Sequence, residues 1–288
     1  MRRLPPLAVV ALAVLGVLAL ASAAAPWLAA AIGSNGVDVN LLDRFAAPSA
    51  AHPLGTDELG RDVLVRLLEA GRASLFVGLA AALASTLIGT PIGLAAGYLG
   101  GRVDALLMRL TDGLLALPLL PLLIVLAAID PAKLGLPNGL ATSNAFGLVK
   151  IVGIVALVGW ATVARLVRAY ALHLREATFV LAARAQGAGP MRIMRVHILP
   201  NLASPIIVAT TLASGNVVLL ESVLSFLGLG VQPPTPSWGN LLSNAQELVW
   251  SAPGLAIWPG LAIFITVIAL NVLGDGLREA LDPRRANR

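Results

Sequence analysis

The organisation of the chain is decided by residues 175–201, REATFVLAARAQGAGPMRIMRVHILPN. This stretch carries four arginines and a single acid, and it lies between two long apolar segments. Its first half is rich in alanine and favours a helix, while Gly187 and Gly189 can end that helix and Pro190 can begin another. Pro200 is expected to end the second helix. The pattern therefore predicts a hairpin of two short helices joined by a glycine break.

The second half of the hairpin is amphipathic. Met191, Met194 and Ile198 fall at i, i+3 and i+7 and form one apolar stripe, with Arg192 and Arg195 on a neighbouring face. A cationic, amphipathic hairpin between apolar segments suits the cytoplasmic face of a bilayer. It could grip the membrane surface, dock a soluble partner, or be only a basic connecting loop.

The composition indicates an integral membrane protein. Hydrophobic residues make up 58% of the 288 residues and charged residues only 12%, whereas a soluble domain has about 25% charged residues. The isoelectric point of about 10.6 comes largely from arginines that flank apolar runs, so nucleic-acid binding is a poor explanation of the basicity. The absence of cysteine excludes disulfides, thiolate metal sites and a cysteine nucleophile, and the three histidines show no ligand spacing.

Six apolar runs are long enough to cross a bilayer, which takes about 20 residues. The first run also resembles a signal peptide, but it continues to Ile32, past the small residues at a candidate cleavage site. We therefore expect an uncleaved first span. Pro118 and Pro121 are expected to kink the third span. The predicted spans are 7–32, 73–99, 103–129, 146–170, 205–229 and 254–273.

Arginines concentrate on one side of these spans, which predicts cytoplasmic termini and a cytoplasmic hairpin. The sequence divides into four regions. They are an N-terminal region with the first span (1–32), an external segment with an interfacial helix (33–72), a five-helix core that contains the hairpin (73–273), and a cytoplasmic tail (274–288).

Two local patterns refine this outline. In the external segment, Thr56 could cap a helix that leads into the second span, although an ordinary solvated linker is the alternative. Within the second span, Gly89, Gly93 and Gly97 recur every four residues, and Ser85 extends the series. Small residues at this spacing allow another helix to approach closely.

Four of the polar side chains inside predicted spans are candidates for a structural or functional role. Glu221 is the deepest carboxylate, and it is either a gate, substrate contact or proton site, or a hydrogen bond that locks two helices together. Asp112 lies nearer the inner interface and could pair with Arg109 or with an arginine of the hairpin. Asn216 and Asn271 are expected to join helices. Glu221, Asn216 and Asp112 are the candidates for a pathway or gate.

The chain carries no recognisable catalytic or nucleotide-binding motif. Nothing matches the phosphate-binding loop G-x-x-x-x-G-K-[ST], the nucleophile elbow G-x-S-x-G or the zinc motif H-E-x-x-H. We therefore expect no enzyme activity, no metal site and no cofactor in this chain.

Together these features resemble the permease subunits of ATP-binding-cassette importers, and most closely the C-type subunit of the dipeptide/oligopeptide/nickel family. The second of four matching blocks resembles the cytoplasmic EAA loop of that family, with its two alanines, glycine and terminal Leu-Pro at Ala182, Ala183, Gly187, Leu199 and Pro200. The blocks are HPLGTDELGRDVLVRLLEAGR (52–72), LAARAQGAGPMRIMRVHILPN (181–201), ESVLSFLGLGVQPPTPSWGNLL (221–242) and LNVLGDGLREALDPR (270–284).

The resemblance implies an all-α membrane protein with six transmembrane helices in the type I (MetI-like) importer architecture, located in the inner or plasma membrane. Two such permeases, here as a heterodimer, would form the pathway for a peptide or, as the alternative, for nickel or another metal chelate. Two cytoplasmic ATPase subunits would bind the ATP, an external binding protein would deliver the solute, and the mechanism would be alternating access. Nucleic acid has no place in this scheme.

In that family the EAA loop docks in a cleft of the ATPase, so the resemblance assigns the hairpin to ATPase coupling. One departure is that Leu181 stands where the family usually has a glutamate. A competing hypothesis is a self-sufficient secondary transporter that uses Glu221 and Asp112 for ion coupling. The residues expected to couple are Ala182, Ala183, Gly187, Pro190, Met191, Arg192, Met194, Arg195, Leu199 and Pro200.

Overall fold

The computed structural model describes residues 4–34, 36–129, 144–243 and 245–281. This part of the chain is helical, apart from turns and one isolated bridge between Thr56 and Asp62. The helices are α1 (Pro6–Ala23), α2 (Ala25–Ile32), α3 (Val63–Leu99), α4 (Gly101–Leu115), α5 (Leu119–Ala128), α6 (Asn144–Leu174), α7 (Thr178–Ala185), α8 (Pro190–Phe226), α9 (Trp238–Ser243), α10 (Ala245–Leu248) and α11 (Gly254–Leu281).

Among the described residues, five helices are long and apolar enough to cross a membrane: α1, α3, α6, α8 and α11. The pair α4 and α5 passes the same test together, but it is bent by 84°. The bend lies where Pro118 precedes α5, because proline cannot donate the hydrogen bond that would continue the helix. Counted as one broken span, the pair brings the total to the predicted six.

The glycine series packs α3 against α6, as its spacing predicts. Cβ atoms added at Gly89 and Gly93 would lie only 2.5 and 2.3 Å from the carbonyl oxygens of Trp160 and Ala164. Gly97 makes a similar approach one turn further on. These distances leave no room for a side chain, so the two backbones are in direct contact and form the centre of the bundle.

The external segment folds differently from the prediction. The expected helix beginning after Thr56 is absent, and α3 instead begins at Val63, where the Asp62 carboxylate accepts a hydrogen bond from the amide of Val65. Residues 56–62 form a tight turn because Gly60 has a φ of +73°. That glycine faces backbone so closely that no side chain would fit there. The cap and the interfacial helix were therefore placed wrongly.

Pro200 does not end the second hairpin helix, contrary to the prediction. Residues 193–198 form a π-helical turn, and α8 runs without a break from Pro190 through Pro200 and Pro205 to Phe226. This π turn directly precedes Pro200, and a π turn is wider than the α turn in which a proline ring would clash with the carbonyl four residues earlier. The hairpin and the fifth span are consequently one continuous helix.

Two spans also extend beyond their predicted limits. Helix α3 begins at Val63 rather than 73, and α11 continues to Leu281 rather than ending at 273. A hydropathy pattern stops at charged residues, whereas helical hydrogen bonding continues through them. The last residues of the expected cytoplasmic tail, 282–288, lie outside the described part of the chain.

Candidate coupling surface and intramembrane polar sites

The hairpin is fastened to the bundle by apolar side chains. Val180 of α7 and Ile193, Ile198 and Leu202 of α8 are fully buried. They pack against a cluster contributed by α3 and α6, which includes Leu94, Tyr98, Val163, Val167 and Ala171. Because both arms of the hairpin share this cluster, the hairpin is held on the ends of α3 and α6 rather than being a loose loop.

The remaining surface of the hairpin faces outward. Among the residues predicted to couple, Ala183 and Met194 are buried and belong to the base, and Leu199 is partly buried. Met191 is 58% exposed, so the predicted apolar stripe divides between the base and the outer surface. The exposed members of the set, which we call the coupling surface, are Ala182, Gly187, Pro190, Met191, Arg192, Arg195 and Pro200.

The turn of the hairpin has the glycine geometry that the sequence predicts. Gly187 has a φ of +83°, its amide donates to the carbonyl of Arg184, and the Ala188 amide donates to the carbonyl of Ala183. This pattern closes the end of α7. Pro190 occupies the first turn of α8, where its missing amide hydrogen costs nothing.

The arginines of this region have two different environments. The Arg184 guanidinium lies 5.8 Å from the centre of the Tyr98 ring, and Arg175 donates to Glu176 and to the carbonyl of Gly97. Those two arginines are therefore occupied within the chain. Arg192 and Arg195, in contrast, are exposed and form no ion pair with any described residue.

Two ion pairs join α4 to α6 near the hairpin. Arg168 donates to both carboxylate oxygens of Asp104, at 2.5 and 2.6 Å, and Arg165 donates to Asp112 at 2.6 Å. The predicted partners of Asp112, Arg109 or a hairpin arginine, are therefore wrong. Asp104 was not among the predicted site residues, although its spacing of eight residues from Asp112 places both on the same side of α4.

Glu221 is fully buried in a cluster of hydroxyl groups. Its two carboxylate oxygens accept hydrogen bonds from Ser74 of α3 at 3.0 Å and from Ser225 of α8 at 2.6 Å. The Ser237 hydroxyl, just before α9, is a further partner. Ser74 in turn accepts a hydrogen bond from the amide of Trp238 at 3.1 Å. The cluster therefore locks α3, α8 and the segment before α9 together, and Glu221 faces no open surface of this chain.

Neither asparagine that was expected to join two helices forms an interhelical hydrogen bond among the described residues. The side chain of Asn271 donates to the carbonyl of Val267 on its own helix, so the prediction that it joins two helices is wrong. Asn216 is exposed and bonds to no described residue. It shares a face of α8 with the exposed residues Leu219 and Val223. Of the three pathway or gate candidates, Asn216 is thus the one on an apolar outer face of the bundle.

Lys150 forms a further polar contact that was not predicted from the sequence. Its ammonium group donates to the carbonyls of Ala127 at 2.6 Å and Ile129 at 2.8 Å, at the end of α5. The available signal was a lone lysine within the apolar run of the fourth span. This contact ties the C-terminal end of α5 to α6.

Comparisons with known proteins agree on one family. The family described as "binding-protein-dependent transport system inner membrane component" matches residues 89–287. A dipeptide transport system permease protein of Alkalihalophilus pseudofirmus is 40% identical over 278 residues, which cover 96% of this chain and 86% of the relative. A nickel transport system permease protein of Escherichia coli K12 is 37% identical over 273 residues, covering 95% of this chain and 92% of the relative.

An oligopeptide transport system permease protein of Bacillus subtilis is 38% identical over 245 residues, which cover 85% of this chain and 76% of the relative. Among solved structures, a chain of the MetNI methionine ABC transporter in inward-facing conformations superposes with a TM-score of 0.59 at 18% identity. The superposition covers 75% of this chain and 96% of the other. This likeness shows the type I permease fold predicted from the sequence.

Proposed function

This chain belongs to the family of binding-protein-dependent transport system inner membrane components, and from that premise we propose that it forms half of the solute pathway of a peptide importer. It is a multi-pass permease subunit of an ATP-driven importer and not an enzyme. The observation that supports ATPase coupling is the hairpin, with its buried apolar base and its exposed coupling surface.

The continuity of α8 gives the hairpin a way to act on the pathway. Helix α8 begins within the hairpin at Pro190 and ends at Phe226, so its 37 residues span about 55 Å. A displacement of the coupling surface would move the inner end of this helix as a lever. Closure of an ATPase pair on bound ATP could therefore tilt the same helix that carries Asn216, which is the change that alternating access requires.

The proposed assembly contains two permease subunits as a heterodimer, two cytoplasmic ATPase subunits and an external binding protein. The hairpin and both chain termini lie in the cytoplasm in this arrangement. ATP is bound by the ATPase subunits, and this chain holds no cofactor of its own. Exposed Leu181 replaces the acid of the usual loop, so docking would depend on apolar contacts and on Arg192 and Arg195 meeting acidic groups of the ATPase.

Peptides are the first choice of solute because two of the similar relatives are named dipeptide and oligopeptide permeases. Nickel or a metal chelate is the second choice, since the nickel permease matches nearly the whole chain. Among the residues that the structure describes, no group of three or more potential ligands is arranged to hold a metal ion. Uptake of a labelled dipeptide and of Ni²⁺ by the assembled importer would separate the two candidates.

Gly187→Leu tests the coupling hairpin against Gly189→Leu. Both glycines are exposed with open space around them, but Gly187 has a φ of +83° and Gly189 has a φ of −72°. A side chain at Gly187 costs about 1–2 kcal/mol in that conformation and would change the angle between α7 and α8. We expect Gly187→Leu to lose the ATPase on purification from detergent-solubilised membranes, or to hydrolyse ATP without transport.

Gly189→Leu should retain both the ATPase and transport. Normal coupling in Gly187→Leu would contradict the assignment of the hairpin. Purification of the wild-type chain without any ATPase would contradict the importer itself, and ion-gradient-driven uptake by this chain alone would then favour a secondary transporter.

A further inference from the structure

A groove of about 690 Å³ opens between the inner ends of three spans. Its walls come from the end of α6, the start of the span portion of α8, and the end of α11. Asn201 in its lining directly follows the hairpin, so the groove lies beside the coupling surface. Leu166, Leu174, Val208 and Leu212 give it an apolar floor.

The polar groups of the groove are all neutral or basic. They are Tyr170, His173, Asn201, Ser204 and Arg278, and no aspartate or glutamate is among its described lining residues. Arg278 is exposed and forms no ion pair within the described part of the chain. A guanidinium without a carboxylate partner, at the mouth of an amphipathic groove, attracts anionic groups and repels cations.

The groove continues along α8 toward the outer side. Ala209 and Leu212 in its lining are followed at helical spacing by Asn216, Leu219 and Val223, which are exposed on the same face. An exposed asparagine within an apolar span is unfavourable against acyl chains, where its amide would have no hydrogen-bond partner. This face is therefore suited to water or to a second permease subunit rather than to lipid.

We propose that the groove is the inner half of the solute path in this subunit, and that Arg278 at its mouth receives the carboxylate of the departing solute. His173 and Tyr170 supply further hydrogen-bond donors beside it. The inference rests on the proposed importer function and deepens it, because such a mouth favours a solute with a free carboxylate, such as a peptide C-terminus. It disfavours a bare divalent cation.

The absence of cysteine from the chain allows a clean test of the groove. In the assembled importer in inside-out membrane vesicles, Ala209→Cys is treated with an anionic and with a cationic methanethiosulfonate reagent of similar size. Ala209 and Arg278 both line the groove. When each rate is divided by the rate of the same reagent with a small free thiol, a unit charge about 8 Å away in a largely solvated site should favour the anionic reagent by about fivefold. Adding Arg278→Gln should remove most of this preference, and Arg278→Lys should keep it.

Arg102→Gln is the matched control, since Arg102 is an exposed arginine on the predicted inner side but outside the groove. It should leave the rate ratio unchanged. As a second readout, a dipeptide at millimolar concentration should slow the labelling of Ala209→Cys, whereas its C-terminal amide should not.

Three outcomes would overturn the inference. Labelling only by a membrane-permeable reagent would show that the groove faces lipid, and a phospholipid would then be its occupant. Equal normalised rates with both charged reagents would remove the carboxylate preference. Protection by the amide as strong as protection by the free acid would do the same. Co-purification of the ATPase in these samples shows separately whether the importer assignment itself still stands.

Discussion

Charged residues are buried at one end of the bundle and exposed at the other, and in the proposed topology these are the outer end and the inner, hairpin end. At the outer end, Glu221, Asp57 and Asp62 are at most 5% exposed, and each is hydrogen-bonded within the chain. At the inner end, Arg192 and Arg195 are exposed and unpaired among the described residues. Buried polar groups must find partners inside the fold, whereas exposed ones are available to another protein.

The two ends therefore have different roles, since the buried acids stabilise the fold and the exposed arginines are available to a partner protein. The buried acids have their hydrogen-bond partners within the chain. Asp57 accepts hydrogen bonds from the Arg61 side chain and from the Leu59 and Arg61 amides. Glu221 connects α3, α8 and the segment before α9. The base of the hairpin is largely apolar, and Arg192 and Arg195 on its outer surface form no ion pair with any described residue. We therefore expect substitutions of the buried acids to reduce stability and substitutions of the exposed hairpin arginines to reduce assembly.

The largest effect on stability is expected for Glu221→Ala. The substitution removes the acceptor for the Ser74 and Ser225 hydroxyls inside a packed cluster and leaves a cavity, at a cost of about 3 kcal/mol. The apparent melting temperature in detergent should fall by several degrees. Glu247→Ala, which removes an exposed glutamate of the same outer region, should change it little. Equal effects of the two substitutions would abolish the proposed contrast between buried and exposed groups.

A smaller effect is expected at the ion pairs between α4 and α6. Asp104 is 18% exposed and is held by two short contacts from Arg168, whereas Asp112 is 60% exposed and has one contact from Arg165. Asp104→Asn should cost about 1 kcal/mol and Asp112→Asn about half as much or less. Melting temperatures of the two variants in one detergent give the comparison, and a larger loss for Asp112→Asn would reverse our ranking of the pairs.

The smallest effect on stability is expected for Arg192→Gln combined with Arg195→Gln. Both side chains are exposed and unpaired in the described structure, so the melting temperature should stay within the range of about 0.5 kcal/mol typical of surface changes. The double variant should nevertheless retain less of the ATPase than the wild type does. In the wild type, retention should also fall as the salt concentration is raised, because salt screens the charges of the two arginines. Unchanged retention at every salt concentration would show that these arginines do not contribute to docking.

Local patterns predicted much of this fold. The number and approximate position of the spans followed from the length of apolar runs, and the close approach of α3 and α6 followed from the spacing of Gly89, Gly93 and Gly97. The glycine turn at Gly187 followed from its freedom to adopt positive φ. In each case the determining interaction is either with solvent or within a few residues, and such interactions are visible in a sequence.

Other features depended on contacts between distant segments. Ser74 and Glu221 are 147 positions apart, and Asp112 and Arg165 are 53 apart, so neither pairing could be inferred from spacing. The turn before α3 was misplaced for a similar reason, because Gly60 is required by the backbone of Asn40, which lies across the turn.

The sequence by itself determined that this chain is a six-span membrane protein with a cationic, amphipathic hairpin between its fourth and fifth spans. Only the tertiary structure decided which polar groups are enclosed and which are open. In the structure Glu221 is buried among hydroxyl groups and Asn216 is exposed on the apolar face of α8. Helix α8 continues through Pro200 after a π turn. The physical reason is that hydropathy measures the preference of each residue for lipid or water, whereas enclosure depends on which other helices pack against it.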